Sequence, residues 1–155
     1  MDQTQTNELI QLLQKYELSI AALYETFASI LQQSKNAWMA FAKEELLHAK
    51  WINELHTQLK SENISFEQTR FTAQSTSTAI GYVESQVDRA IKDKPDLIQS
   101  LNIAINIEKS LLESAFFRIF KLNGPKAQQI QARLEEATKF HIDRLIEWQT
   151  NIQKA

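Results

Sequence analysis

The 155-residue chain contains no cysteine. That excludes disulfides, thiolate zinc sites, iron–sulfur clusters and a cysteine nucleophile. Any metal would have to be held by carboxylates and imidazoles. Glycine and proline are scarce, with 2 of each, which leaves little material for the many tight turns of an all-β fold. There is no basic excess: 17 Lys and Arg face 19 Asp and Glu, for a formal charge of −2. A phosphate backbone would find no basic face, so nucleic acid is not an expected partner. No apolar run reaches the ~18 residues of a membrane span, so none is expected to cross a bilayer. The stretch Met1–Glu8 has neither the basic nor the apolar region of a secretory signal, and the expectation is a cytoplasmic protein.

Hydrophobic residues make up 43% and charged residues 23% of the chain, an ordinary globular composition for a single domain. Four long stretches carry apolar residues at three- and four-residue steps, the helical period. The first runs from about Asn7 to Gln33, with Leu9, Leu13, Ile20, Tyr24, Phe27 and Leu31 as its stripe. The second runs from about Lys35 to Leu59 behind Ser34, an N-cap candidate, with Trp38, Phe41, Ala42, Ala49, Ile52, Leu55 and Leu59. The third is expected from Pro95, at its first helical position, to Leu122, with Leu97, Leu101, Ala104, Leu111, Ala115 and Ile119. Gly124-Pro125 marks a stop and restart. The fourth runs from about Lys126 to Ile152, with Ile130, Leu134, Ala137, Leu145, Trp148 and Ile152. Between the second and third lies a polar connection, Lys60 to Thr78, and then a short helix from about Ala79 to Lys92 carrying Ile80, Val83, Val87 and Ile91.

Helices one and two, and likewise three and four, are joined by few residues and should be antiparallel neighbours. More than 30 residues separate Leu59 from Pro95. A helix of ~27 residues is ~40 Å long, so this connection can return along the whole bundle. Two hairpins with one long crossover give an all-α, ferritin-like antiparallel four-helix bundle spanning residues 1–155.

Charged residues interrupt the apolar stripes. Glu17 lies between Leu13 and Ile20, Glu45 and His48 between Ala42 and Ile52, Glu108 between Ala104 and Leu111, and His141 between Ala137 and Leu145. Thr138 precedes His141 by one turn. Burying an isolated carboxylate or imidazolium costs several kcal/mol (roughly) unless it is paired. Converging carboxylates repel one another and take up protons. A divalent cation resolves both difficulties. Glu45-Leu46-Leu47-His48 sets a carboxylate and an imidazole three residues apart on one helical face, within reach of one ion. The two halves also match: 28 residues separate Glu17 from Glu45, and 30 separate Glu108 from Thr138. Glu25 competes with Glu17 for the first-helix role, but phase and the matched spacing favour Glu17. Glu44 is expected in solvent on the Trp51 side, His56 at the surface, and the Tyr24 hydroxyl near the site.

The segments Glu17-x-x-Ile-x-x-x-Tyr24-x-x-Phe-Ala, Phe41-Ala-x-x-Glu45-x-x-His48-Ala, Asp96-Leu-x-x-x-Leu-x-x-Ala-x-x-x-Glu108-Lys and Leu134 to His141 resemble the rubrerythrin-like branch of the ferritin-like di-iron proteins. The resemblance spans nearly the whole chain. It implies one or two iron ions between the helices, with manganese or zinc as alternatives. Glu17, Glu45 and His48 would hold one ion, and Glu108 and His141 the other, with Glu45 bridging. It further implies oxygen or peroxide as substrate, peroxide reductase or oxidase chemistry, and a homodimer.

Two positions depart from the family pattern. The second Glu-x-x-His reads Thr138-Lys-Phe-His141, and Glu135 and Glu136 lie off the face of His141. A bridging carboxylate is therefore missing, and a hydroxyl is a poor replacement at a hard-cation site. A further acid one turn after Glu108 is replaced by Leu111. Two rival readings follow: a metal-binding or metal-sensing bundle without turnover, and a helical interaction module whose inward polar groups bond to one another without metal.

Overall fold

The structure, a computed structural model, describes residues 3–59, 65–66, 73–113, 120–121 and 124–154. Among them are five helices: α1 (Gln3–Ile30), α2 (Lys35–Leu59), α3 (Ala73–Asp93), α4 (Leu97–Glu113) and α5 (Pro125–Lys154). A two-residue antiparallel pairing joins β1 (Ser65–Phe66) to β2 (Phe120–Lys121) and ties the α2–α3 connection to the α4–α5 connection. α1 packs on α2 and on α3, α4 packs on α5, and α5 closes against α2. No helix among the described residues is long and apolar enough to cross a membrane.

The apolar stripes become the core. Leu9, Leu13, Ile20, Tyr24 and Phe27 of α1 meet Trp38, Phe41, Ile52 and Leu55 of α2, together with Leu101 and Ala104 of α4 and Leu134 and Leu145 of α5. Burying each large apolar side chain contributes roughly 1.5–3 kcal/mol. That is enough to hold marginal helices together once their faces meet. Leu111, Ala115 and Ile119 of the third expected stripe, and Leu59 of the second, are outside the residues whose side chains are described.

Several local expectations are corrected. The short helix expected from about Ala79 to Lys92 is longer than that. It begins at Ala73 rather than Ala79, so residues 73–78 of the expected polar connection are helical. Its buried positions are Thr76, Ile80, Val83, Gln86 and Ala90, while Ile91, expected on the same side, is exposed. Pro95 is not the first residue of α4. Asp96 caps that helix: its Oδ1 accepts the Gln99 N–H at 2.9 Å, and Gln99 Oε1 accepts the Asp96 N–H at 3.0 Å. This reciprocal capping box satisfies two donors that the first turn leaves free. Ser34 does not cap α2. It ends a 3-10 turn, Gln32–Ser34, and its hydroxyl donates to the Leu31 carbonyl at 3.3 Å. Pro125 does open the last helix, where its missing N–H leaves nothing unsatisfied.

Candidate metal centre

α1, α2, α4 and α5 each place an ionisable group in the interior. Glu17, Glu45, His48, Glu108 and His141 are all buried, with Glu45 fully so. Glu25, the competing α1 acid, is exposed. The helical period explains the convergence. Glu45 and His48 share one face of α2, and the His48 Nδ1 lies 3.2 Å from Glu45 Oε2. His141 on α5 reaches the same carboxylate from across the bundle, its Nδ1 being 2.9 Å from Glu45 Oε1. The same Nδ1 is 3.4 Å from Glu108 Oε1 on α4. Ligand atoms of Glu45, His48 and His141 all lie within 4.8 Å of one another. The two imidazole rings are 4.9 Å apart, centre to centre. Glu45 is thus the hub, flanked by the two imidazoles.

Around this hub the neighbours are aromatic or unpaired. The Tyr24 hydroxyl donates to Glu108 Oε1 at 2.7 Å, close to the acid groups as the sequence suggests. Phe41 meets the His141 ring edge to face at 5.4 Å, and Trp51 covers His48 at 5.4 Å. Both carboxylate oxygens of Glu17 are buried without a hydrogen-bond partner among the described residues. A carboxylate in that state is among the least favourable groups an interior can hold. Thr138 is buried one turn before His141, and its hydroxyl donates to the Leu134 carbonyl at 2.9 Å. The hydroxyl thereby serves the α5 backbone.

Electrostatics follow from this crowding. Burial, reinforced by the nearby Glu45 charge, pushes the Glu17 carboxyl well above the usual range. Burial and the charge of Glu108 push Glu45 up to about 8, despite its hydrogen bond with His141. Burial would raise Glu108 too, but hydrogen bonding to His141 outweighs it and holds the carboxyl below the usual value. Burial disfavours charge on both imidazoles, and His48 is accordingly lowered. At His141, hydrogen bonds to Glu108, Glu44 and Glu45 overcome burial and push the ring up to about 12. The interior therefore favours a positive charge at the Nδ1 of His141, between Glu45 and Glu108.

Glu44 corrects the sequence reading. Expected in solvent, its carboxylate bonds the outer nitrogen of His141, Nε2, at 2.5 Å. It also accepts two hydrogen bonds from Arg144, at 2.7 and 3.0 Å. Burial would raise this carboxyl, yet the bonds from His141 and Arg144 hold it down at about 2. The signal for this role was the pair Glu44 and Arg144, which only the packing of α5 on α2 brings together. His56, expected at the surface, is half-buried near the end of α2.

Comparison with protein-family models, with curated proteins and with solved structures finds no match.

Proposed function

We propose that this chain is a ferritin-like metal-carboxylate protein, in which α1, α2, α4 and α5 form the four-helix bundle and α3 belongs to the crossover. The observation that carries this reading is the convergence of the buried Glu45, His48 and His141, beside a Glu17 carboxylate with no hydrogen-bond partner among the described residues. The donor set fits a cation. Carboxylate oxygen with imidazole nitrogen suits iron, manganese or zinc, and the absence of thiolates disfavours soft ions. Glu45, His48 and His141 would hold the ion, with Glu17 as the further oxygen donor. Glu108, fixed by Tyr24, would serve a second ion, which the hydroxyl at Thr138 leaves less firmly held.

When bound, ferrous iron supplies electrons to oxygen or peroxide, which makes the chain a candidate oxidoreductase. The protein's own part is positional and electrostatic. Phe41 and Trp51 keep water from the two imidazoles. The protons that Glu17, Glu45 and His141 hold must leave as the cation enters, because metal ligands bind in their deprotonated forms.

The test is to load the purified protein anaerobically with ferrous iron, measure iron per chain, and then admit oxygen or peroxide. Stoichiometric iron with an oxidant-dependent change in the optical spectrum is expected. Stoichiometric iron with no such change would end the oxidoreductase reading and leave a metal-binding or metal-sensing bundle. No iron, manganese or zinc at any loading would leave the metal-free module, in which His141 is satisfied by carboxylates alone.

A further inference from the structure

Among the described residues, His141 is the one interior imidazole with carboxylates on both of its nitrogens. Nδ1 faces Glu45 and Glu108 in the interior, whereas Nε2 faces Glu44 on the outer side. Glu44 is itself clamped. Both of its oxygens accept hydrogen bonds from Arg144, whose guanidinium lies 4.6 Å over the Phe41 ring and 5.3 Å over the Phe140 ring. Phe41 in turn packs against His141. Arg144, Phe41 and Glu44 thus form a bracket around one face and the outer nitrogen of this ring. Glu44 remains about a third exposed, at 36%, so it is no part of the buried donor set.

A neutral imidazole carries one N–H and one lone pair, and the partner of the N–H decides which nitrogen is free to donate to a metal. A carboxylate accepts but cannot donate at neutral pH. Glu44 can therefore satisfy Nε2 only when that nitrogen carries hydrogen. Once an entering cation displaces the proton that Nδ1 shares with Glu45 and Glu108, Nδ1 is the nitrogen left with the lone pair.

We propose that Glu44 is a positioning residue for His141: held by Arg144, it fixes the proton on Nε2 and so dedicates Nδ1 to a cation in the interior. The inference rests on the metal-centre reading above. It places the carboxylate–histidine–metal arrangement at a residue outside the expected ligand set. It also gives Arg144 a function that a surface ion pair alone would not have.

The experiment compares the full-length wild type with Glu44→Ala, Glu44→Gln and His141→Ala. Cobalt(II) affinity is read by competition titration, and the imidazole N–H of His141 by nitrogen-edited NMR of the zinc-loaded protein. Because Glu44 is partly exposed, its variants are expected to fold, which circular dichroism checks. Wild type should bind cobalt and show a protected His141 Nε2–H. Glu44→Ala should lose about 10- to 100-fold in affinity together with that protected proton. Glu44→Gln, whose amide oxygen still accepts from Nε2, should recover most of both. If Glu44→Ala binds as wild type does while His141→Ala does not, the inference is overturned and the metal-centre reading stands. Equal losses in Ala and Gln would also overturn it, because charge and not the hydrogen bond would then matter. If wild type binds no cobalt, the metal-centre reading falls and the inference with it.

Discussion

At Glu17 two carboxylate oxygens lie in the interior with no hydrogen-bond partner among the described residues, which is costly unless a cation or proton meets them. Replacing this residue separates stability from function. Glu17→Leu should raise the thermal stability of the metal-stripped protein, by about 1–3 kcal/mol, and at the same time weaken metal binding. Calorimetry with and without zinc checks both halves. A loss of stability in the stripped variant would show that Glu17 has a structural partner in the fold. Thr138 makes the complementary case. It is buried one turn before His141 and, among the described residues, its hydroxyl bonds to its own helix. Thr138→Glu should raise metal content toward two ions per chain, measured by elemental analysis. Unchanged content would contradict the placement of Thr138 at a bridging position. The burial of Glu17 and Glu45 was legible in the sequence because a charged residue in an apolar stripe stands out against the helical period. Glu44 was not. Helical phase tells which way a side chain leaves its own helix, but nothing about what another helix brings to meet it, and Arg144 and His141 arrive from α5.

Among the elements, the four long helices were readable because each buries an apolar stripe, but the third, expected to reach Leu122, is helical over Leu97–Glu113, and Phe120–Lys121 pair as β2 instead. Their ends were less so, because caps depend on single hydrogen bonds. Pro95 looked like the first residue of α4, yet Asp96 takes the capping role with Gln99. The early part of α3 was missed for a different reason. Residues 73–78 are Ala, Gln, Ser, Thr, Ser and Thr, with no apolar period to read. Only Thr76 among them is buried, against the face that continues through Ile80 and Val83. Tertiary packing, not local preference, makes that segment helical. The capping box gives an element-scale expectation. Asp96→Ala should lower stability by about 1 kcal/mol in thermal or denaturant unfolding. Twelve residue steps along the helix, roughly 18 Å, lead from Asp96 to Glu108, so metal affinity should be unchanged. A fall in affinity to match the fall in stability would mean that the N-terminal end of α4 controls the position of Glu108.

For the whole molecule, the charge network makes folding depend on pH in a direction that metal opposes. In the folded protein Glu45 is pushed up to about 8 and His141 up to about 12. In the unfolded chain a Glu and a His release their protons near about 4.3 and 6.5. Between about pH 6.5 and 8 the folded state therefore holds more protons than the unfolded one, and stability falls as pH rises. Glu44, held at about 2, acts only in acid. Its contribution is present above the usual carboxylate range and is lost as pH falls toward 2. The metal-stripped protein should thus melt several degrees higher at pH 6.5 than at pH 8.5. With saturating zinc the difference should shrink or change sign, because alkaline pH frees the ligands. A stripped protein more stable at pH 8.5 would contradict this account of the interior. The most direct measurement is a crystal of the purified, metal-loaded protein, with elemental analysis of the same preparation and anomalous scattering at the metal edge. The expected result is at least one ion per chain, with a peak bounded by Glu45, His48 and His141. A fully loaded crystal with no peak there, and with His141 still bonded directly to Glu45, would mean that a proton, and not a metal ion, gathers these groups.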